Sequence, residues 1–141
     1  MSDINLLVGR LLLVALYLVS ATGKWGDLLG LAATLDRQGF PAPMLLAVIA
    51  ASAELGGALA VALGFRTRSA ALGLIAYTVL ATLTFHAFWQ LQAPEAQAQS
   101  IQFLKNLGLT GGFLLLSAVG PGAYGLDSWQ HRQTVSKVPA R

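Results

Sequence analysis

The chain has 141 residues, of which 55% are hydrophobic and only 11% charged, and its mean hydropathy is +0.64, which excludes an ordinary soluble domain and points to an integral membrane protein. It has no cysteine, so disulfides, thiolate nucleophiles, CxxC redox pairs and iron–sulfur ligation are excluded, and any redox role needs a bound cofactor, a substrate quinone or a partner subunit. The formal charge of +3 and pI near 9.7 come from few and scattered basic residues, which suits orientation in a membrane rather than nucleic-acid binding.

The first apolar run predicts a span over about residues 4–22. Asp3 stands where a signal peptide would carry a basic residue, Arg10 interrupts the run, and further runs follow, so it reads as a retained helix. Gly23, Lys24, Trp25 and Gly26 mark its interfacial end. A loop follows, apolar enough from Leu28 to Leu35 for a short interfacial helix, and then Gly39 to Pro43 give a turn whose second proline suits the first turn of the next helix. The second span, about 44–63, stops at Gly64, and a tight hairpin through Arg66 and Arg68 leads to the third, about 69–89, which closes in the aromatic cluster Phe85 to Trp89. Residues Gln90 to Gln102 read as a polar connection broken by Pro94. The fourth span, about 103–119, ends at Gly120-Pro121-Gly122 before a polar tail. The expected fold is therefore an all-α integral membrane protein, a bundle of four transmembrane helices forming a single domain over 1–141.

Four spans place Arg66, Arg68, Arg132, Lys137 and Arg141 on one side and Lys24 and Arg37, beside Asp27, Asp36 and Glu95, on the other, which predicts both termini in the cytoplasm. Each run also carries an ionisable side chain: Arg10, Glu54, His86 and Lys105. A charge within hydrocarbon is costly and marks either a polar lock between helices or a site. Helical periodicity puts Arg10, Tyr17 and Lys24 on one face of the first span. By their depths, ~9 Å and ~15 Å from the same end, Arg10 is expected to reach Glu54. Ala47, Ala50, Ala51, Gly57, Ala58 and Val61 surround Glu54 on a small-residue face that turns it into the bundle. An Arg10–Glu54 pair could serve helix register alone, or one partner could titrate or hold a polar ligand group. Lys24, His86 and Lys105 lie near the opposite mouth, where they could hold an anionic or quinone-like headgroup, with His86 as donor or proton relay, or simply reach the interface. The two histidines, His86 and His131, fall on opposite sides, so no metal site is expected. Gly108 and Gly112 form a GxxxG pattern that implies close packing, and Tyr77 could stack a ring.

Taken in order, Gly9-Arg10, Ser20-Ala-Thr-Gly-Lys24, Gln38-Gly-Phe-Pro41, Ala53-Glu-Leu-Gly-Gly57, Leu63-Gly-Phe-Arg-Thr-Arg68, Phe85-His-Ala-Phe-Trp89, Phe103-Leu-Lys-Asn-Leu107 and Gly120-Pro-Gly122 before Asp127 resemble the DoxX family of small bacterial membrane proteins over almost the whole chain. Ala123 stands where the family frequently has a basic residue. The resemblance implies a four-helix inner-membrane protein, with relatives in thiosulfate:quinone oxidoreduction, in oxidative-stress complexes and in the response to catechols and quinones; it brings no agreed catalytic residues. The leading expectation is thus a membrane subunit of an oxidoreductase system that binds a quinone or quinone-like molecule, among membrane lipids, with a partner oxidoreductase subunit and in one or several copies. A small exporter using Glu54, or a non-catalytic scaffold for a partner enzyme, are the alternatives.

Overall fold

The computed structural model describes residues 2–136, with side chains through residue 133, so Lys137 and Arg141 of the orientation argument lie outside the described residues. It is all-helical there, with α1 Asp3–Gly26, α2 Leu28–Arg37, α3 Pro43–Leu63, α4 Thr67–Phe85, α5 Glu95–Val119 and α6 Leu126–Ser136, and a 3₁₀ turn at Phe88–Gln90. Four long helices pack side by side: α1 runs along α3, α3 against α4, α4 along α5, and α5 returns to touch α1. Their shared core is Val14 and Tyr17 from α1, Ala58 and Val61 from α3, Ala71 and Leu74 from α4, and Phe113 and Leu116 from α5.

Small residues set these distances. On α3 the buried stripe is Ala47, Ala51, Glu54, Ala58 and Val61, at the spacing expected for one helix face. Of the GxxxG pair only Gly112 is a close approach: a Cβ there would lie 2.6 Å from Leu13, whereas Gly108 faces open space. Outside the core the pattern inverts. Leu12, Val19 and Leu115 are each more than 70% exposed, so the exterior is a belt of large apolar side chains while polar groups turn inward. That arrangement suits hydrocarbon and would aggregate in water.

Among the described residues, three helices are long and apolar enough to cross a membrane: α1, α3 and the stretch Thr67–Gln90 that contains α4. The residues expected as the fourth span lie in the 25-residue α5, whose hydropathy Gln102, Lys105 and Asn106 lower below that of the other three, so α5 is a long helix of the bundle and not among the three candidate spans. The polar stretch to Gln102 is not a loop as expected. It turns helical directly after Pro94, which stops nothing but sits at the helix start where a missing N–H costs no bond. The tail likewise contains α6. The short helix after the first span is present as α2, capped by Asp27, whose Oδ1 accepts from the Gly30 N–H at 2.9 Å, and Pro43 occupies the first turn of α3 as expected.

The start of α1, the α3–α4 turn, the end of α5 and α6 meet at one end of the bundle. Asp127 accepts hydrogen bonds from the N–H groups of Arg66 at 2.6 Å and Thr67 at 2.9 Å, and so caps α4 from the far end of the chain. Arg66 itself is held at φ +43, a left-handed conformation that a non-glycine residue keeps only when its surroundings fix it. Gly64, at φ +68, ends α3. A Cβ there would lie 2.5 Å from the Gly125 Cα, so the α5–α6 turn can press onto the α3–α4 turn only with glycine at this position. Asp3 adds a further tie, accepting from the Ala123 N–H at 2.9 Å.

Candidate functional site

At the opposite end the four helices part around a cavity of about 550 Å³, partly roofed by α2. Tyr17, Ser20 and Lys24 line it from α1, Glu54 from α3, Tyr77, Thr78 and His86 from or just beyond α4, and Gln99, Gln102, Lys105 and Asn106 from α5. Apolar wall is supplied by Leu16, Leu31, Ala81 and Phe85. Five of the six residues proposed from sequence, Tyr17, Lys24, Glu54, His86 and Lys105, therefore meet at one place; Arg10 does not.

Glu54 is the most buried charge of the cavity, with a side chain only 4% exposed, near the middle of α3. Its Oε2 accepts from the Lys24 ammonium at 2.7 Å and from the Tyr77 hydroxyl at 3.1 Å. Lys24 donates a second bond to Ser20 Oγ, one turn back on its own helix, at 2.6 Å. Next to this network Tyr17 and Thr78 share a hydroxyl–hydroxyl bond of 2.6 Å, and the Tyr17 ring stands edge-on to Phe113. At the rim His86 Nδ1 lies 2.6 Å from Gln99 Oε1. Asn106 donates to Thr82 at 2.9 Å, and the exposed Lys105 bonds Gln102. Beside them Phe88 and Trp89, from the expected aromatic cluster, stack edge-to-face with each other and with Phe103 of α5, which was not expected there.

The expected Arg10–Glu54 pair is corrected. Arg10 is buried, 2% exposed, and its guanidinium donates to the carbonyls of Pro121 at 2.7 Å and Tyr124 at 2.6 Å at the other end of the bundle. Side chains on a helix lean toward its N-terminus. On α1 that direction turns Arg10 outward to the turn after α5 and turns Lys24 back toward the bundle middle. On the antiparallel α3 it turns Glu54 toward Lys24. The Arg10 guanidinium lies against Gly64 at the end of α3, so the charge is shallower than the residue's position in the apolar run suggests.

Sequence reasoning did not single out Ser20, Thr78, Gln99, Gln102 or Asn106. Ser20 and Lys24 are four apart on the face that already held Tyr17, and Gln99, Gln102 and Asn106 follow a three-then-four spacing that marks one face of a helix. That second signal was masked by reading the glutamine-rich stretch as a loop.

A helical membrane protein whose long helices enclose a polar network in an otherwise apolar exterior is the class that fold and site define. Within it, the chain belongs to the DoxX family: the family model, described as DoxX, matches residues 5–87, from α1 through His86. It is 38% identical to Inner membrane protein YqjF of Escherichia coli (strain K12) over 130 residues, covering 90% of this chain and 92% of that one. It is 34% identical to Inner membrane protein YphA of the same organism, covering 86% and 87% respectively. No solved structure gives a significant match.

Proposed function

We propose that this chain is an inner-membrane protein that binds a quinone or quinone-like small molecule as the membrane subunit of an oxidoreductase system. The observation that carries the reading is the cavity at Glu54: its volume is in the range of small-molecule sites, and it joins apolar and aromatic surface to polar groups, of which Glu54, Lys24 and Tyr77 are held by one another. A ring with polar oxygens fits that division. The two relatives are named inner membrane proteins, which supports the location. The chain would contribute binding and orientation, while redox chemistry would belong to the quinone and to a partner subunit, since cysteine is absent.

In this reading α5 is the fourth span, its exposed Leu104, Leu107, Leu114 and Leu115 facing lipid. Both termini lie in the cytoplasm. Arg66, Arg68 and Arg132 cluster with α6, while Arg37 and Lys105 at the cavity end are accompanied by Asp27, Asp36 and Glu95. The alternative of a cation exporter working through Glu54 is weakened by the Lys24 ammonium already seated on that carboxylate.

The test is to extract the protein from its membrane directly into lipid nanodiscs and quantify bound quinone. The wild type is expected to retain quinone near one per chain, and the double variant Lys24→Met/Glu54→Leu to lose it. A wild type that carries none and takes up none on addition would overturn the reading.

A further inference from the structure

Only one of the two Glu54 oxygens is occupied. Oε2 takes both the Lys24 and the Tyr77 bonds, and Oε1 has no hydrogen-bond partner among the described residues. Nor is Oε1 sealed in protein: the one buried side-chain polar atom without a partner there is Arg10 Nε, at the other end of the molecule, and Glu54 lines the cavity. A nearly buried carboxylate thus presents a free acceptor to the pocket. Beside it Lys24 has used two of its three ammonium protons, on Ser20 and Glu54, and keeps one donor.

We infer that Glu54 Oε1 is the acceptor for a ligand hydroxyl, so that the cavity selects the reduced, hydroxyl-bearing member of a quinone–hydroquinone pair. The inference rests on the proposed quinone-like ligand and adds the redox form and the atom that reads it. A hydroxyl can satisfy both groups at once, donating to Oε1 and accepting from Lys24. A quinone carbonyl can only accept. It could take a Lys24 hydrogen bond, but it would place its lone pairs against Oε1 with no hydrogen between, and two acceptors so placed repel each other. Sites built around a substrate hydroxyl reject analogues that lack it, because the site's own polar group is left unpaired. Tyr77 has a positioning role: its bond to Oε2 leaves Oε1 turned to the cavity.

The experiment is anaerobic titration of the full-length protein in nanodiscs with duroquinone and with durohydroquinone. The wild type is expected to bind the hydroquinone at least roughly tenfold more tightly. In Glu54→Gln, whose amide can turn its NH₂ to a carbonyl, the preference is expected to fall to about threefold or less. Equal or tighter binding of the quinone by the wild type overturns the inference and leaves the proposed ligand class standing, whereas binding of neither form overturns that class as well. A Glu54→Gln variant that keeps the full preference removes Glu54 as the reader. Should Glu54→Gln not fold, the wild type is titrated instead with the dimethyl ether of durohydroquinone, which keeps the ring and has no hydroxyl to donate: it is expected to bind no more tightly than the quinone, and binding as tight as that of the hydroquinone overturns the assignment.

Discussion

Arg10 and Lys24 are two cations on one face of one helix, and they do opposite things. Arg10 spends its guanidinium on two backbone carbonyls of the turn between α5 and α6, in a place closed on every side by Gly64, Pro121 and Gly125. Lys24 spends its ammonium on a carboxylate and a hydroxyl that both border open space. The first is a fastening of chain to chain, and together with Asp127 and Asp3 it closes the end of the bundle. The second holds groups in place at the wall of a cavity. An intramembrane charge therefore identifies a site only when its partners leave room for something else, a criterion that depth in the bilayer does not supply.

The largest effect is expected at Arg10. Removing the guanidinium in Arg10→Met leaves two carbonyls unpaired, and hydrogen bonds to charged groups contribute about 1.5–3 kcal/mol each, so a loss of roughly 3 kcal/mol or more is expected. The measurement is thermal unfolding in detergent, with ligand binding of the surviving folded protein unchanged. A variant as stable as the wild type would end the description of this end as a fastening. Asp127→Ala should cost less, about 1–2 kcal/mol, because it removes a cap on α4 while the packing remains. Its expected signature is faster hydrogen exchange at the N-terminal turn of α4.

At the cavity end the same logic predicts the reverse. Replacing the whole pair in Lys24→Met/Glu54→Leu takes two charges out of the bundle together, and such replacements by apolar residues are often neutral or stabilising by about 1–4 kcal/mol. An unfolding midpoint at or above that of the wild type, with binding gone, would be the mark of a site kept at some cost to stability. A large loss of stability in the double variant would instead make the pair a second fastening.

Much of this was legible in the sequence, and the failures share a cause. The spans, the small-residue face of α3 and the inward direction of Glu54 follow from periodicity, which is a statement about azimuth around a helix. The partner of Glu54 depends on the axial coordinate as well. Arg10 and Lys24 have the same azimuth, and the lean of side chains toward the helix N-terminus separates them, carrying the Arg10 guanidinium to Gly64 at the end of α3. The lean could have been applied in advance, since it follows from helix geometry alone. The closure of that end by Asp127, Asp3 and Gly64 could not have been foreseen, because it depends on contacts between elements far apart in the chain. The glutamine-rich start of α5 was lost for a different reason: its low hydropathy and Pro94 both resemble a connection, yet proline is well tolerated where a helix begins.

The smallest expected effect separates the inner part of the cavity from its rim. Lys105 lines the cavity, but it is exposed and bonds Gln102 one turn back on its own helix, with no tie to another element among the described residues. Lys105→Ala should then change stability by no more than about 0.5 kcal/mol, the range of ordinary surface substitutions. It should also leave equilibrium binding of the hydroquinone within about twofold, since an exposed rim charge contributes little to the affinity of an uncharged ligand. Tyr77→Phe, equally modest in volume, should weaken binding by about three- to tenfold, since it removes one of the two bonds that orient Glu54. If the two variants change places, with Lys105 carrying affinity and Tyr77 carrying none, the ligand would be held at the mouth rather than beside Glu54, and the inner network would join Arg10 as part of the bundle's fastening.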